Sequence, residues 1–244
     1  MDVKIITCHD VYNYGASLQA FALQSFIDST NNKCEIIDYK PYYLTKGHKF
    51  WHINKRYNNL FLNILYFIYK TPDKLLFFIR KNNFKKFNSQ YLKITEKSYT
   101  NVYELAECNC DILVCGSDQI WNTNFDNGND PAFFGDGIQK KYLISYAASI
   151  ALNKIPADKE NWFKEKLKNF NAVSVRETSA QSELKRLGID SVQSLDPVYL
   201  LSKEEWIKKL NLKEKKEDYL LIYMFEDTKE IKKENQKIIE KETP

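Results

Sequence analysis

Along the first two hundred residues, short apolar runs ending in small polar groups alternate with longer stretches of helical spacing. That alternation predicts an α/β chain in which strands of a mostly parallel sheet are joined by helical crossovers. Residues 3–9 form the first expected strand and residues 10–15 a loop. From 16 to 29, Leu18, Ala22 and Phe26 recur four apart with Phe21, Leu23 and Ile27 beside them, so little of this helix is polar and it is expected to be buried. Residues 34–39 read as a second strand, ended by Pro41. Strand, turn through Gly15, helix and second strand make one βαβ unit, whose crossover is expected to be right-handed.

Further along, Ile112, Leu113, Val114 and Cys115 form a wholly apolar run, which suits a strand covered on both faces. Before it, Asn101 is expected to cap a short helix ending at Glu107, and after it residues 122–137 make a loop rich in Asn, Asp and Gly. Residues 142–148 predict another strand, and Asp158 is expected to cap a helix carrying Trp162, Phe163, Leu167 and Phe170. Residues 172–175 form a strand, Thr178 and Ser179 are available to cap the next helix, and Gly188 ends it. A strand near 191–195, the turn Asp196-Pro197 and a capping box opening at Ser202 follow. Residues 212–218 read as a charged linker, 219–225 as a strand and 228–241 as a charged helix. This divides the chain into a domain at 1–211 and, at 212–244, the linker and first strand-helix unit of a truncated second domain.

Composition supports a packed core, with 43% hydrophobic residues. The net charge of +4 conceals an asymmetry. Residues 46–97 hold twelve Lys or Arg against Asp73 and Glu96, so the rest of the chain is net acidic. Aromatics crowd the same stretch, which reads as an insertion, mainly helical from 50 to 91 and broken at Pro72. A basic, aromatic segment can rest on anionic lipid, line a groove for a glycan or stack on single-stranded nucleic acid. The plainer reading, of helices that bury aromatic faces and leave lysines in water, is preferred. Nucleic acid is the least favoured partner, because lysines and aromatics alone make no RNA motif. The five cysteines are odd in number and sit mostly in apolar runs, and Cys108 and Cys110 lack the further ligands that signal zinc, so no metal is expected. The start of the chain has no signal-peptide pattern, which points to the cytoplasm, with a peripheral position on the inner face of the membrane through 46–97 as the second option.

Candidate chemistry lies where the strands end. The loop after the first strand has one glycine, not the three of a dinucleotide site, but it presents the free amides and positive end of a helix beside Asn13, Tyr14 and Gly15, with His9 where strand meets loop. Gly116, Ser117, Asp118 and Gln119 follow the apolar strand, then Trp121 and Asn122. Arg176 and Glu177 follow the strand at 172–175, and an arginine so placed can grip a carboxylate or phosphate through two parallel hydrogen bonds. A structural reading stands beside each: Gly116 and Ser117 can make a turn, Asp118 can cap a helix, Trp121 can fill core, and Arg176 can pair with Glu177.

Taken in order, Asn13-Tyr14-Gly15-Ala16, Gly116-Ser117-Asp118-Gln119-Ile120-Trp121-Asn122, Ser145-Tyr146-Ala147-Ala148-Ser149, Ser174-Val175-Arg176-Glu177 and Asp196-Pro197 resemble the polysaccharide pyruvyl transferase family. The resemblance implies the N-terminal, acceptor-side half of a GT-B-like architecture built from Rossmann-like, doubly wound parallel sheets. It implies transfer of pyruvate from phosphoenolpyruvate, as co-substrate and without a further cofactor, to two hydroxyls of a cell-surface glycan or its precursor, including a lipid-linked one. By the same resemblance Arg176 would grip phosphoenolpyruvate, Asn13, Asp118, Gln119 and Asn122 would meet sugar hydroxyls, and Trp121 would pack on a sugar face. The family's branch with Gly-Asp in the first loop differs from Gly15-Ala16 here, and no histidine follows His52. The general acid is therefore expected in a C-terminal half beyond this chain, which as it stands would be catalytically incomplete. The alternatives are a GT-B glycosyltransferase using a nucleotide sugar and a non-catalytic module that binds glycan or lipid-linked saccharide.

Overall fold

The computed structural model describes residues 1–45 and 77–213, together with residues 231, 232 and 236. Two compact units divide the chain, Met1–Ser202 and Lys203–Pro244. In the first unit, strands β1 (Asp2–Ile6), β2 (Lys33–Tyr39), β3 (Ile94–Tyr99), β4 (Asn109–Cys115) and β5 (Gln139–Ser145) form one sheet in the order β3-β2-β1-β4-β5. Every pairing is parallel. The short strands β6 (Ser174–Val175) and β7 (Val192–Gln193) pair in parallel beyond β5, and isolated parallel bridges link Ile144 of β5 to Ala172 and Ala148, after β5, to Val175 of β6. This is the order of a Rossmann-like sheet.

Both faces of the sheet are covered, which explains why its central strands read as apolar runs rather than alternating ones. Helix α1 (Tyr14–Ser29) packs on the face carrying Ile5, with Leu23 against it. The opposite face carries Ile6, Ile37, Leu113, Cys115 and Leu143, and packs on Trp121, Phe133, Phe134 and Phe163. Phe163 and Leu167 come from α4 (Glu160–Leu167), while Ala180 and Leu184 come from α5 (Thr178–Arg186). Gly188, at φ 79°, takes the left-handed conformation that ends α5, as its place in the sequence predicts. The short helix α2 (Tyr42–Thr45) follows β2, and its Tyr43 shares the Asp130 carboxylate with Tyr39, each hydroxyl donating at 2.6 Å. Cys8, Cys34, Cys108 and Cys115 are buried and unpaired, as small hydrophobes would be.

Three local expectations are corrected. Residues 94–97 belong to β3, at the edge of the sheet beside β2, and not to a helical insertion. An edge strand is largely exposed, so Thr95, Glu96, Lys97 and Ser98 carry no strand-like apolar signal. Residues 46–76 of that insertion lie outside the described residues, and 77–91 form helix α3. Asp158 sits within a 3₁₀ turn, Ala157–Lys159, and does not cap α4. Asp118 caps no helix either, because the chain after β4 runs through turns.

In the second unit, α6 (Lys203–Leu210) carries Glu204 and Glu205 in its first turn and Lys208 and Lys209 in its last, the distribution that complements a helix dipole. The strand expected at 219–225 and most of the helix at 228–241 lie outside the described residues. Among the described residues no helix is long and apolar enough to cross a membrane.

Candidate active site

In a parallel sheet of this order the chain departs to opposite sides from β1 and β4, and a crevice opens beyond their carboxyl ends. Here the crevice is a cleft of about 320 Å³. Asn13, Gly15, Ala16 and Gln19 line it from α1, and Asp118, Arg176, Asp196 and Val198 from the loops after β4, β6 and β7. Segments more than a hundred residues apart in sequence thus meet at one rim.

The amino end of α1 is built for this position. Asn13 is its N-cap, with Oδ1 accepting from the Ala16 amide at 3.3 Å. The first turn contains no acidic side chain, so no carboxylate of the helix itself offsets the positive end of these sixteen residues where it borders the cleft. A latch fixes that end to the β4 loop: the Gln19 Nε2 donates to Thr7 Oγ1 at 3.0 Å and to the Ala16 carbonyl at 3.0 Å, and the Thr7 hydroxyl donates to the Ser117 carbonyl at 2.8 Å. Gly116 lets the layers approach, since a Cβ there would lie 3.1 Å from Ile5 Cγ2 and 3.2 Å from Thr7 Cβ.

Asp118 is held in the left-handed region at φ 82°, unusual for a residue other than glycine. Its backbone carbonyl accepts from Ser149 and Ile120, at 3.0 and 2.8 Å, which secures the turn. The side-chain Oδ1 accepts from the Gln119 amide at 2.8 Å. Burial pushes the Asp118 carboxyl above its ordinary range; the Gln119 amide and the Arg176 charge offset part of that, and Asp196 adds to it. Across the cleft, Arg176 Nη1 donates to Asp196 Oδ2 at 3.0 Å, and Nε lies 3.5 Å from Glu177 Oε1. Asp196 is itself anchored, its Oδ1 accepting from the Val198 amide at 3.1 Å to cap the 3₁₀ turn Pro197–Leu200. Among the described residues Arg176 Nη2 has no hydrogen-bond partner, so part of the guanidinium fork stays available to an anion.

Of the residues singled out in the sequence, Asn13, Gly15, Asp118 and Arg176 come together in the cleft. The others stand behind or beside it. Trp121 is 0% exposed, donates from Nε1 to the Phe133 carbonyl at 3.0 Å and stacks on Phe134 at 5.3 Å, so it is a core residue with no face to offer a sugar. His9, 1% exposed, places Nε2 2.9 Å from Asp38 Oδ1 and belongs to a closed network beneath the loop. Gly116 and Ser117 are buried in the latch. Asn122 donates to the Gln119 side chain at 3.2 Å and accepts from the Asn124 amide at 3.0 Å, which organises the loop after β4. Glu177 accepts from the Ser149 hydroxyl and from the Ile150 amide, tying β6 to the loop after β5. Tyr14 is exposed, its ring 4.9 Å from Phe84 and covered by Arg80 at 5.8 Å.

Gln19 and Asp196 are cleft residues that no strand-end pattern singles out. Gln19 sits four residues after Gly15, one helical turn along the same face, and that spacing was the available signal. Asp196 precedes proline, a pattern that signals a turn and says nothing of a cleft.

The family profile described as polysaccharide pyruvyl transferase matches residues 13–242. No curated protein and no solved structure matches the chain. The matched segment holds every wall of the cleft, from Asn13 on α1 to Val198 on the last turn. The chain belongs to the polysaccharide pyruvyl transferase family.

Proposed function

We propose that this chain takes part in transferring pyruvate from phosphoenolpyruvate to two hydroxyls of a cell-surface glycan or its lipid-linked precursor, closing a cyclic ketal, as the acceptor-side lobe of a GT-B-like architecture. One observation carries the reading. An arginine with donors to spare, the amino end of α1 and a partly buried carboxyl line a single cleft at the switch point of the sheet. Phosphoenolpyruvate carries a carboxylate and a phosphate and needs two cationic or amide-lined holds. Arg176 offers a planar fork for one, and the α1 amino end offers free amides for the other. The chemistry adds a proton to the methylene carbon and a sugar oxygen to its neighbour, so charge develops next to the groups already held.

Incubation of the full-length protein, including any C-terminal lobe, with phosphoenolpyruvate and a panel of glycans tests this. Phosphate is expected only when both are present, together with a product heavier than the glycan by the ketal-bound pyruvate. Phosphate release from no member of a broad panel, or glycan extension with a nucleotide sugar instead, contradicts it.

A further inference from the structure

The cleft holds more hydrogen-bond acceptors than phosphoenolpyruvate can use. That substrate, ionised, is itself a set of acceptors and is served by Arg176 and the amides of α1. Asp118 Oδ2, among the described residues, has no hydrogen-bond partner, while its other oxygen is fixed by the Gln119 amide at 2.8 Å. Gln19, which lines the same cleft and is 2% exposed, has an amide oxygen without a partner, its Nε2 being committed to Thr7 and Ala16. Beside the buried Gln19 oxygen, an unpaired carboxylate oxygen on the cleft wall is open to a ligand that donates, and a sugar hydroxyl does. The two differ in kind, since an amide oxygen can only receive a hydrogen bond whereas a carboxylate can also keep the proton.

We propose, resting on the pyruvyl-transfer reading, that Asp118 is the catalytic base that takes the proton from the attacking hydroxyl of the acceptor sugar. Its oxygen Oδ2 faces that hydroxyl, and Gln19 belongs to the same wall. In the addition step the O–H bond breaks and its proton passes to Asp118. The oxygen's electron pair forms the bond to the central carbon of phosphoenolpyruvate, and the electron pair of the carbon–carbon double bond takes a proton of solvent origin at the methylene carbon, making it a methyl group. In the second step the other hydroxyl closes the ring, the carbon–phosphate oxygen bond breaks with its electrons, and the departing phosphate carries off the second hydroxyl's proton. Asp118 returns its proton to solvent.

The strained backbone fits this role. A φ of 82° costs a non-glycine residue energy that a mere turn would avoid by using glycine, and Gly116 stands two residues away. The charged groups that share the cleft with Asp118 are Arg176 after β6 and Asp196 after β7, while the Cys8 thiol after β1 is buried in the core and raised well above its usual range by that burial and by the charges of Asp118 and Asp130. Burial and Asp196 favour a proton on Asp118, while the Gln119 amide and Arg176 oppose it, which leaves a carboxylate more basic than one in water.

The test uses the full-length protein, including any C-terminal lobe, with phosphoenolpyruvate and a glycan that supports phosphate release. D118N keeps the acceptor for the Gln119 amide, and asparagine tolerates positive φ, so the fold is expected to survive. Phosphate release in D118N is expected to fall about 100-fold or more in kcat, with KM for phosphoenolpyruvate within about threefold. The wild-type rate, rising with pH above the ordinary carboxylate range, is expected to lose that limb. D118G, free of backbone strain, is expected to regain activity with added formate. Should D118N not fold, D118G with formate decides, and no rescue contradicts the proposal. A D118N protein with wild-type kcat, or with the acidic limb intact, overturns the base and leaves pyruvyl transfer standing. Wild-type protein that releases no phosphate overturns the transfer reading and the base with it.

Discussion

The network around Asp38 and the cleft around Asp118 share the carboxyl edge of one sheet, one at the end of β2 and the other just past β4. Both centre on a carboxyl largely withdrawn from water, and their partners differ. Asp38 Oδ1 meets His9 Nε2 at 2.9 Å and Lys40 Nζ at 2.9 Å, while Oδ2 accepts from the Ser98 hydroxyl. Lys40 reaches on to Asp10 at 3.5 Å, and Asn88 Nδ2 donates to the His9 carbonyl at 3.2 Å. Burial pushes the Asp38 carboxyl up, but hydrogen bonds from His9, Ser98 and Lys40 and the Lys40 charge outweigh it and hold it well below the usual range. Asp118 shifts the opposite way, because burial acts on it with a single backbone amide and the Arg176 charge to oppose it. A carboxylate whose oxygens are fully engaged holds structure together. One left partly unsatisfied beside a cavity is available for chemistry.

The largest effect should come from breaking the closed network. D38N is expected to destabilise the fold by about 3 kcal/mol at neutral pH, since it takes the charged acceptor from His9, Ser98 and Lys40 together and leaves Lys40 only Asp10. The sign with pH follows from the depressed carboxyl: its contribution is present above the usual carboxylate range and is lost only as pH falls through the lower folded value. The gap between wild type and D38N in denaturant titrations is therefore expected to be constant near neutrality and to close only in strong acid.

Next comes the open side. R176A is expected to lower kcat/KM for phosphoenolpyruvate about 100-fold, equivalent to about 2.7 kcal/mol. Its thermal stability should change by no more than about 1 kcal/mol, because the ion pairs to Asp196 and Glu177 are partly solvated. R176K is expected to recover little, lacking the planar fork. Steady-state kinetics beside a melting curve checks both halves. The smallest effect sharpens the contrast: D118N is expected to stabilise the protein by about 0.5–2 kcal/mol at neutral pH, the opposite of D38N. The raised carboxyl penalises the folded state where it is ionised, so this gain is full above the folded value and disappears as pH falls below the ordinary carboxylate range. Equilibrium unfolding at several pH values reads the sign directly.

The same contrast explains what could be read from the chain before its structure. A parallel sheet brings every strand's carboxyl end to one edge, so Gly15, Asp118 and Arg176, each following an apolar run, were legible as neighbours despite their separation in sequence. Which members of each strand-end motif face the cleft was not legible. The left-handed turn at Asp118 precedes a segment that sends Trp121 into the core against Phe134, and nothing in Gly116-Ser117-Asp118 announces a positive φ at its third residue. His9 was drawn inward by Asp38, twenty-nine residues away, a pairing that depends on the register of β1 against β2. β3 leaves little trace in the sequence because an exposed edge strand has polar side chains on most of its positions. Asp196 joins the cleft through the ion pair it makes with Arg176, a contact that local pattern does not encode.

A crystal structure of the full chain with phosphoenolpyruvate bound tests the central claim most directly. Its carboxylate or phosphate is expected within hydrogen-bond distance of the Arg176 guanidinium, with the other anionic group against the amides that open α1 and Asp118 Oδ2 turned to the remaining space. Phosphoenolpyruvate bound away from Arg176 and α1, or seated with Asp118 turned out of the cleft, would contradict it.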